Sequence, residues 1–460
     1  MNTRFLVHTI LASASLACFN ASAADLKAVY ERALTNDPLI REAEANRLAT
    51  RESKPQAVAA LLPQVTADGT WNETVDTNST GIFVAPNLPL TPQVNNFDGD
   101  SSSWNLTLRQ SVFRWENWAT YQRANSERAQ AEADYLVAQQ DLVLRTAEAY
   151  FNVLAARDTL EAAQAAYDAI GRQLEQSEKR FEVGLIAVTD VQDAKAAFDS
   201  ASAALIQGKR ALANAGELLR ELTGDAWDEL EKPGNDMPLN SPNPASPDDW
   251  VKLAMEQNAS LNSSRLAAEI TRANVNVERG GHVPAVDFVV RRGHDESDGT
   301  LNGTSPGDTS NNNYDTVYGL QVTVPIFSGG FTNSRVRQAQ YRHTAARERL
   351  ERTARQTERS TRDAFLGVNS EVARVQSLKQ AVESAQTALE ATEAGYEVGT
   401  RTSVDVLQAR QRLFQSQTDY ARSRYDYLLN VLRLQQAAGT LDRKGLEDIN
   451  AILSENVTVR

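Results

Sequence analysis

The sequence has very few residues of the types that build thiol, metal or nucleotide sites. One cysteine, Cys18, and four histidines occur among 460 residues. Three of those histidines, His282, His294 and His343, are scattered without metal-ligand spacing. A phosphate-cradling glycine loop and a GxSxG elbow are both missing from the sequence. We therefore expect no cofactor, no bound metal and no enzymatic activity.

Long apolar runs and an excess of positive charge are also missing. No stretch approaches the roughly 18 apolar residues that indicate a membrane-spanning helix. The 47 Lys+Arg against 60 Asp+Glu give a net charge of -13. Nucleic-acid affinity comes from cations that neutralise phosphates, so a nucleic-acid partner is not expected. The 41% of hydrophobic residues is nevertheless typical of a folded protein.

Residues 1–23 have the pattern of a secretory signal peptide. A single cation precedes an apolar run, Phe5–Phe19, and the segment closes on Ala-Ser-Ala, which predicts a mature start at Ala24. Cys18 lies inside this segment, and the residue three places before it is Ser15 rather than the leucine usual for a lipidated cysteine. Removal of the segment would leave the mature chain without a thiol.

The remaining chain contains two copies of one unit. Positions match at an offset of 215 residues, for example Tyr150 with Phe365 and Gly224 with Gly439. Between the copies, residues 233–247 are rich in proline and are predicted to form an extended linker. We therefore expect a first repeat at 24–232 and a second repeat at 248–460, the latter with a short C-terminal segment.

Each repeat is predicted to contain a helix, two strands, a very long helix and a shorter helix. Alternation of apolar and polar residues indicates four strands in all, as in Val65–Asn72. The segments between paired strands, Glu73–Ser103 and Gly293–Thr316, are rich in polar residues and are predicted to be long loops. The proline-free stretches from Trp115 and from Phe331 predict helices of about 65 residues, or about 100 Å.

Two interpretations of this layout are open. Four amphipathic strands could form a small soluble sheet on a secreted coiled-coil structural or adhesion protein. Export, aromatic residues at one end of the strands and polar loops at the other favour a transmembrane barrel instead. Four strands cannot close such a barrel, so the chain must then oligomerise. Eight strands from two chains would be largely filled by side chains, whereas twelve strands from three chains could leave a lumen.

Several motifs resemble those of the TolC family of outer-membrane efflux and secretion channels. The resemblance covers essentially residues 24–450. The matching passages are Thr146–Leu154, Arg180–Gln192, Val324–Gly330, Ala394–Leu407 and Arg424–Leu429.

The resemblance implies an α+β membrane protein in the outer membrane of a Gram-negative bacterium. Its fold would be a homotrimer with a shared 12-stranded β-barrel, continued through the periplasm by a barrel of coiled-coil helices. It further implies partners, namely outer-membrane lipid, a periplasmic adaptor protein and an inner-membrane pump or ABC exporter. The channel would passively export drugs, toxins or proteins, and the sequence does not identify the cargo, the pump or the adaptor.

The resemblance also implies functional residues at the turns between the long and shorter helices. Thr189, Asp190, Tyr396 and Arg401 match residues that latch the periplasmic end closed. Asp405 matches one acid of a constriction that binds cations, but Gln408 stands where a second acid is usual, which predicts a weaker negative ring. Further positions are the turn glycines near the adaptor contact, Gly184 and Gly399, and a strand-to-helix turn at Gly329 and Gly330.

Overall fold

The computed structural model describes residues 24–83, 91–234, 237–303 and 307–459. The predicted signal segment, residues 1–23 with Cys18, lies outside the described residues. No helix in the described part of the chain is long and apolar enough to cross a membrane.

The two halves of the chain have closely similar element orders. In each half, short helices precede a pair of strands, a helix of 68 or 67 residues and a helix of 36 residues. The prediction had a single helix before each strand pair, where the structure has more than one, and the long helices extend slightly beyond their predicted ends. The helices are Leu26–Asn36 (α1), Pro38–Arg51 (α2), Ser53–Ala59 (α3), Trp115–Glu182 (α4), Val188–Thr223 (α5), Pro247–Gln257 (α6), Ala259–Arg279 (α7), Phe331–Glu397 (α8), Ser403–Ala438 (α9) and Arg443–Asn450 (α10). The strands are Gln64–Phe83 (β1), Thr91–Phe113 (β2), Glu229–Pro233 (β3), Ala285–Gly303 (β4), Gly307–Thr323 (β5) and Leu453–Thr458 (β6).

Four long strands form one antiparallel sheet in the order β1-β2-β4-β5. The predicted polar loops were wrong, because β1 and β2 continue through most of Glu73–Ser103, and β4 and β5 through Gly293–Thr316. Pairing persists at polar positions such as Asn72 opposite Ser101. Antiparallel pairing joins backbone groups and does not require an apolar face, so the ladder continues where the apolar alternation ends.

The pairing register separates the sheet into two chemically different faces. Residues that pair directly share a face, and one face carries the row of Leu108, Val290 and Tyr318. Trp104 and Leu320 also lie on this apolar face, and Trp104, Tyr318 and Leu320 are exposed in the chain. The opposite face carries mostly polar and charged residues, including Asp68, Asn105, Thr107, Arg109, Asp295, Asn313, Asp315 and Gln321.

A second, two-stranded sheet was not predicted from the sequence. β3 pairs with β6 near the end of the chain, and Ala24 forms a parallel bridge with Leu230 of β3. The Tyr150 hydroxyl of α4 donates hydrogen bonds to the carbonyls of Ala24 and Glu231 at 3.1 and 2.6 Å. The small sheet therefore ties segments from three distant parts of the chain to one long helix.

By its internal contacts the chain divides into two compact units. The first unit consists of the described residues up to Glu42, Ala138–Asn258 and those from Thr357 on. The second unit consists of Ala43–Val137 and Ala259–Gln356 and includes the four-stranded sheet. Each unit combines corresponding parts of both sequence repeats.

An aromatic and hydrogen-bonded core stabilises the first unit. Phe151 of α4 stacks on Tyr425 of α9 with ring centroids 5.7 Å apart. The Tyr425 hydroxyl donates a hydrogen bond of 2.6 Å to the carboxylate of Asp158. Burial raises the pKa of Asp158 above its usual range, although this hydrogen bond and the charges of Lys232 and Arg424 act in the opposite direction.

The proline-rich linker at 233–247 lies against α9 in its described part. The Arg424 guanidinium donates to the carbonyl of Pro233 at 2.8 Å, and the Tyr427 hydroxyl donates to the carbonyl of Asn240 at 3.1 Å. Residues 238–243 have no regular secondary structure, and Pro247 begins α6. The linker therefore satisfies its backbone groups partly with side chains of a helix.

Candidate functional site

The two turns between the long and shorter helices have nearly the same backbone. Gly184 and Gly399 adopt left-handed φ angles of +74° and +78°. At the first turn the Leu185 amide donates to the carbonyl of Arg180 at 2.8 Å, and at the second the Thr400 amide donates to that of Gly395, also at 2.8 Å. Glycine suits this helix stop because a side chain at such φ values is strained.

Apolar side chains surround both turns and are exposed in the chain. Val183, Leu185 and Val398 are 70%, 73% and 75% exposed, and Phe181 and Val188 are also exposed. Their exposure at a helix hairpin leaves an apolar surface that another protein could cover.

The two turns differ in how the next helix is capped. Before α9, the Thr402 hydroxyl accepts a hydrogen bond from the Asp405 amide at 3.2 Å, and the Asp405 carboxylate accepts from the Thr402 amide at 2.9 Å. Before α5, Ala187 occupies the capping position and Asp190 makes no reciprocal bond. The carboxylate of Asp405 is therefore part of a capping box, whereas that of Asp190 is not.

The capping hydrogen bonds also favour the ionised form of the Asp405 carboxyl group. Hydrogen bonds from the backbone and side chain of Thr402, together with the charge of Arg401, hold the pKa of Asp405 below its usual range. A lowered pKa of an acid stabilises the folded state above the unfolded pKa, and this contribution is lost as the pH falls through the folded pKa. Asp405 is therefore ionised at neutral pH.

Tyr396 combines a packed ring with an unsatisfied hydroxyl. Its ring packs against a cluster that includes Leu389 and Val406, and the Arg180 guanidinium carbon lies 4.8 Å from the ring centre. Its hydroxyl oxygen is buried and has no hydrogen-bond partner among the described residues. A buried hydroxyl without a hydrogen-bond partner costs free energy, so a hydrogen bond between this hydroxyl and a further group would be favourable.

The four predicted latch residues are not joined by side-chain hydrogen bonds within one chain, as far as the structure describes it. Thr189 is exposed, Asp190 is half-buried, and Arg401 is exposed and bonds through its backbone amide to the carbonyl of Gly395. The latch therefore remains a prediction, because the described residues of a single chain do not form its side-chain hydrogen bonds.

Gln408 lines a groove of about 790 Å³ formed by α4, α5 and α9. Alanine, as at Ala166 and Ala197, is the most frequent residue in the walls of the groove, and α9 adds further amides at Gln411 and Gln415. Asp405 does not line this groove. The second position of the predicted constriction therefore presents a neutral amide rather than a carboxylate.

Two arginines that sequence reasoning missed connect helices near the turns. Arg410 of α9 donates to the carboxylate of Glu393 in α8 at 2.7 Å and to the carbonyl of Ala169 in α4 at 3.1 Å. Arg180, which stacks on Tyr396, is the second. The contacts of Arg410 with Ala169 and of Arg180 with Tyr396 each join residues more than two hundred positions apart, so no local spacing in the sequence could reveal them. The contact of Arg410 with Glu393 is closer in the sequence.

The strand-to-helix junction before α8 uses two left-handed glycines. Gly329 and Gly330 have φ angles of +60° and +83°, and a Cβ atom at either would meet nothing within 4 Å. The backbone conformation is therefore the reason for glycine here. At the other junction Arg114 separates β2 from α4 and forms an ion pair of 2.8 Å with the buried Asp287.

The described residues contain no group of three or more His, Cys, Asp or Glu side chains that could hold a metal ion. What the two turns offer chemically is hydrogen bonding, charge and an apolar surface.

Comparisons with known proteins agree with these features. The sequence matches the family described as "Outer membrane efflux protein" over residues 29–225 and 250–440. It is 35% identical to outer membrane protein TolC of Vibrio cholerae serotype O1, over 96% of this chain and 97% of that protein. It is 29% identical to alkaline protease secretion protein AprF of Pseudomonas aeruginosa, over 92% of this chain and 86% of that protein. Among solved structures, one of CusC has a TM-score of 0.73 at 17% identity and covers 91% of this chain and 92% of that one.

The capping difference between the turns predicts opposite effects of two substitutions. Thr402→Val removes the capping hydroxyl and should speed amide exchange in the first turn of α9 about fivefold, whereas Ala187→Thr completes a capping box with Asp190 and should slow exchange in α5 by a similar factor. Hydrogen–deuterium exchange with mass spectrometry measures both turns. In each variant the unmutated turn is the internal control, and equal exchange in wild type and both variants would contradict the assignment.

Proposed function

This chain belongs to the outer membrane efflux protein family, and we propose that three copies build one channel by sharing their four-stranded sheets. The chain is an outer-membrane channel component of efflux and secretion systems and extends into the periplasm. It is not an enzyme. Its relatives include proteins named for efflux and for protease secretion, so drug efflux and protein secretion are both open to it.

One observation carries the proposal of a shared barrel. The sheet has an apolar face and two long outer strands, β1 and β5, whose outer edges have no partner strand in the described ranges. In lipid each unpaired backbone group costs several kcal/mol, so such edges must pair with another copy. Three copies give twelve strands, enough for a barrel with a lumen, whereas eight strands would be largely filled by side chains.

The long helices support a second part of the assembly. Helices α4 and α8 have 68 and 67 residues, about 100 Å at 1.5 Å per residue. Each is followed after its glycine turn by a helix of 36 residues. We propose that these helices from three chains form a coiled-coil barrel in the periplasm, with the turns at its far end.

The turns are the proposed contact with a periplasmic adaptor protein, which links the channel to an inner-membrane pump or ABC exporter. The support is the exposed apolar surface at Val183, Leu185 and Val398, next to the glycines. We also propose that residues 1–23 are a cleaved signal segment and that residues 24–232 and 248–460 are repeats joined by the linker 233–247.

A reconstitution experiment tests the channel. The mature chain, purified in detergent, should have the mass of a trimer, migrate differently before and after heating, and form ion-conducting pores in planar bilayers. A mature chain that stays monomeric and stable in buffer without detergent would contradict the channel and favour the alternative, a secreted coiled-coil structural or adhesion protein.

We propose that Tyr396 and Arg401 close the periplasmic end by bonding to Thr189 and Asp190 in the assembled trimer. The support is the unsatisfied Tyr396 hydroxyl and the Asp190 carboxylate, which no capping bond occupies. Charge-assisted hydrogen bonds of this kind contribute about 1.5 to 3 kcal/mol when shielded, and a trimer would contain three sets.

The latch predicts that Tyr396→Phe combined with Arg401→Ser raises single-channel conductance, because the closing bonds are lost. Planar-bilayer recordings measure the effect. The matched control is Tyr341→Phe with Arg342→Ser on α8, which removes the same groups at a site outside the turns. Conductance equal to that of wild type, or an equal rise in the control, would count against the latch.

The entrance is proposed to hold a ring of three Asp405 carboxylates, with neutral Gln408 one turn further on. The capping box lowers the pKa of Asp405, which opposes the rise that repulsion among three like charges would cause. Asp405→Ala should therefore shift the reversal potential toward lower cation preference, and Gln408→Asp should shift it toward higher preference. Reversal potentials in a salt gradient measure both, and selectivity unchanged in both variants would remove these residues from the entrance.

A further inference from the structure

One arginine of the four-stranded sheet, Arg292, lies among apolar side chains. Arg292 of β4 pairs directly with Leu106 and Thr316, so it lies on the apolar face of the sheet. Val290 precedes it by two residues on the same face. Arg292 is exposed, and within the described ranges its side chain has no ion pair or hydrogen bond. A charged group on such a face is costly unless it finds a polar partner.

The neighbouring arginine shows the contrast. Arg291 lies on the opposite, polar face, where its guanidinium nitrogen is 3.6 Å from the carboxylate of Asp315. Among the described residues, an acid thus pairs with the arginine on the polar face and none pairs with the arginine on the apolar face. A partner for Arg292 is therefore sought outside this chain.

The next row of the apolar face indicates where that partner lies. Trp104, His294 and Tyr314 pair directly across three strands. The rings of His294 and Tyr314 stack at 4.1 Å, and those of Trp104 and His294 lie 6.3 Å apart. Amphipathic aromatic side chains of this kind are typical of the boundary between a membrane and water.

The position of this row along the strand agrees with a membrane boundary. Val286, which pairs with Phe113 at the end of the sheet that leads into α4, precedes His294 by eight residues. That distance is about 27 Å along a strand, or about 20 Å along the membrane normal at the usual tilt, close to the apolar band of about 25 Å. The Trp104 row is on the hairpin side, and therefore marks the outer leaflet.

We propose that Arg292 binds a phosphate group of a phosphorylated glycolipid in the outer leaflet of the outer membrane. The inference rests on the proposed barrel, which turns the apolar face toward lipid. The side chain of Arg292 is long enough to cover apolar surface while its head group reaches the row of His294, about 7 Å away. Its planar fork of donors suits a phosphate, and the ring stack beside it suits the upper part of the acyl chains.

Native mass spectrometry of the detergent-purified trimer, titrated with diphosphorylated lipid A, tests the proposal. Arg292→Gln should weaken binding about tenfold, which corresponds to the loss of one charge-assisted contact. Arg291→Gln, which removes a cation on the polar face, should bind like wild type, and Arg292→Lys should retain most of the affinity. Chemically dephosphorylated lipid A should bind wild type and Arg292→Gln equally.

Each outcome bears on the site. Equal binding of diphosphorylated lipid A to wild type and Arg292→Gln would overturn the proposal, as would an equal loss in Arg291→Gln. Tight, unchanged binding of the dephosphorylated lipid to wild type would also overturn it, because the phosphate would then not be recognised. The same spectra report the trimer mass, so loss of the assembly is distinguishable from loss of the lipid site.

Discussion

The proposed assembly depends on backbone hydrogen bonding at the outer edges of β1 and β5. Inside the sheet β1-β2-β4-β5 each ladder is satisfied, and the register is continuous apart from single irregularities near Thr74 and Ser111. An edge left unpaired in lipid would leave backbone N–H and C=O groups without hydrogen-bond partners. In the proposed barrel, the requirement that peptide groups be paired would determine the oligomer, the lumen and the orientation of the two faces together.

Much of this fold could be predicted from the sequence, because its strongest signals are local. The absence of proline over long stretches marks α4 and α8, and glycines at fixed offsets mark their ends at Gly184 and Gly399. The extent of the strands was missed because polar residues occupy both faces beyond Asn72 and Gly293, which removes the alternation without ending the pairing. The small sheet of β3 and β6 was missed because its partners are more than two hundred residues apart.

The functional residues at the turns were predictable only in part. The exchange of Phe181 for Tyr396 between the repeats is visible in the sequence, but the stacking of Arg180 on Tyr396 depends on how two distant helices meet. The two repeats have the same turn backbone and different side chains: a capping box at Thr402 and Asp405, and none at Ala187 and Asp190. The backbone of the turn is thus the same in both halves, while the polar groups that could regulate it differ.

The small sheet has a consequence for the kinetics of folding. Ala24 bridges to β3, β3 pairs with β6, and Lys27 forms an ion pair of 2.9 Å with Glu447 in α10. These contacts close loops of several hundred residues, and such closure is slow because the chain entropy is lost before the contacts form. The first unit therefore cannot be completed until β6 and α10 have been translocated. During that interval the apolar core of the first unit is incomplete, so aggregation competes with folding most strongly before this sheet closes.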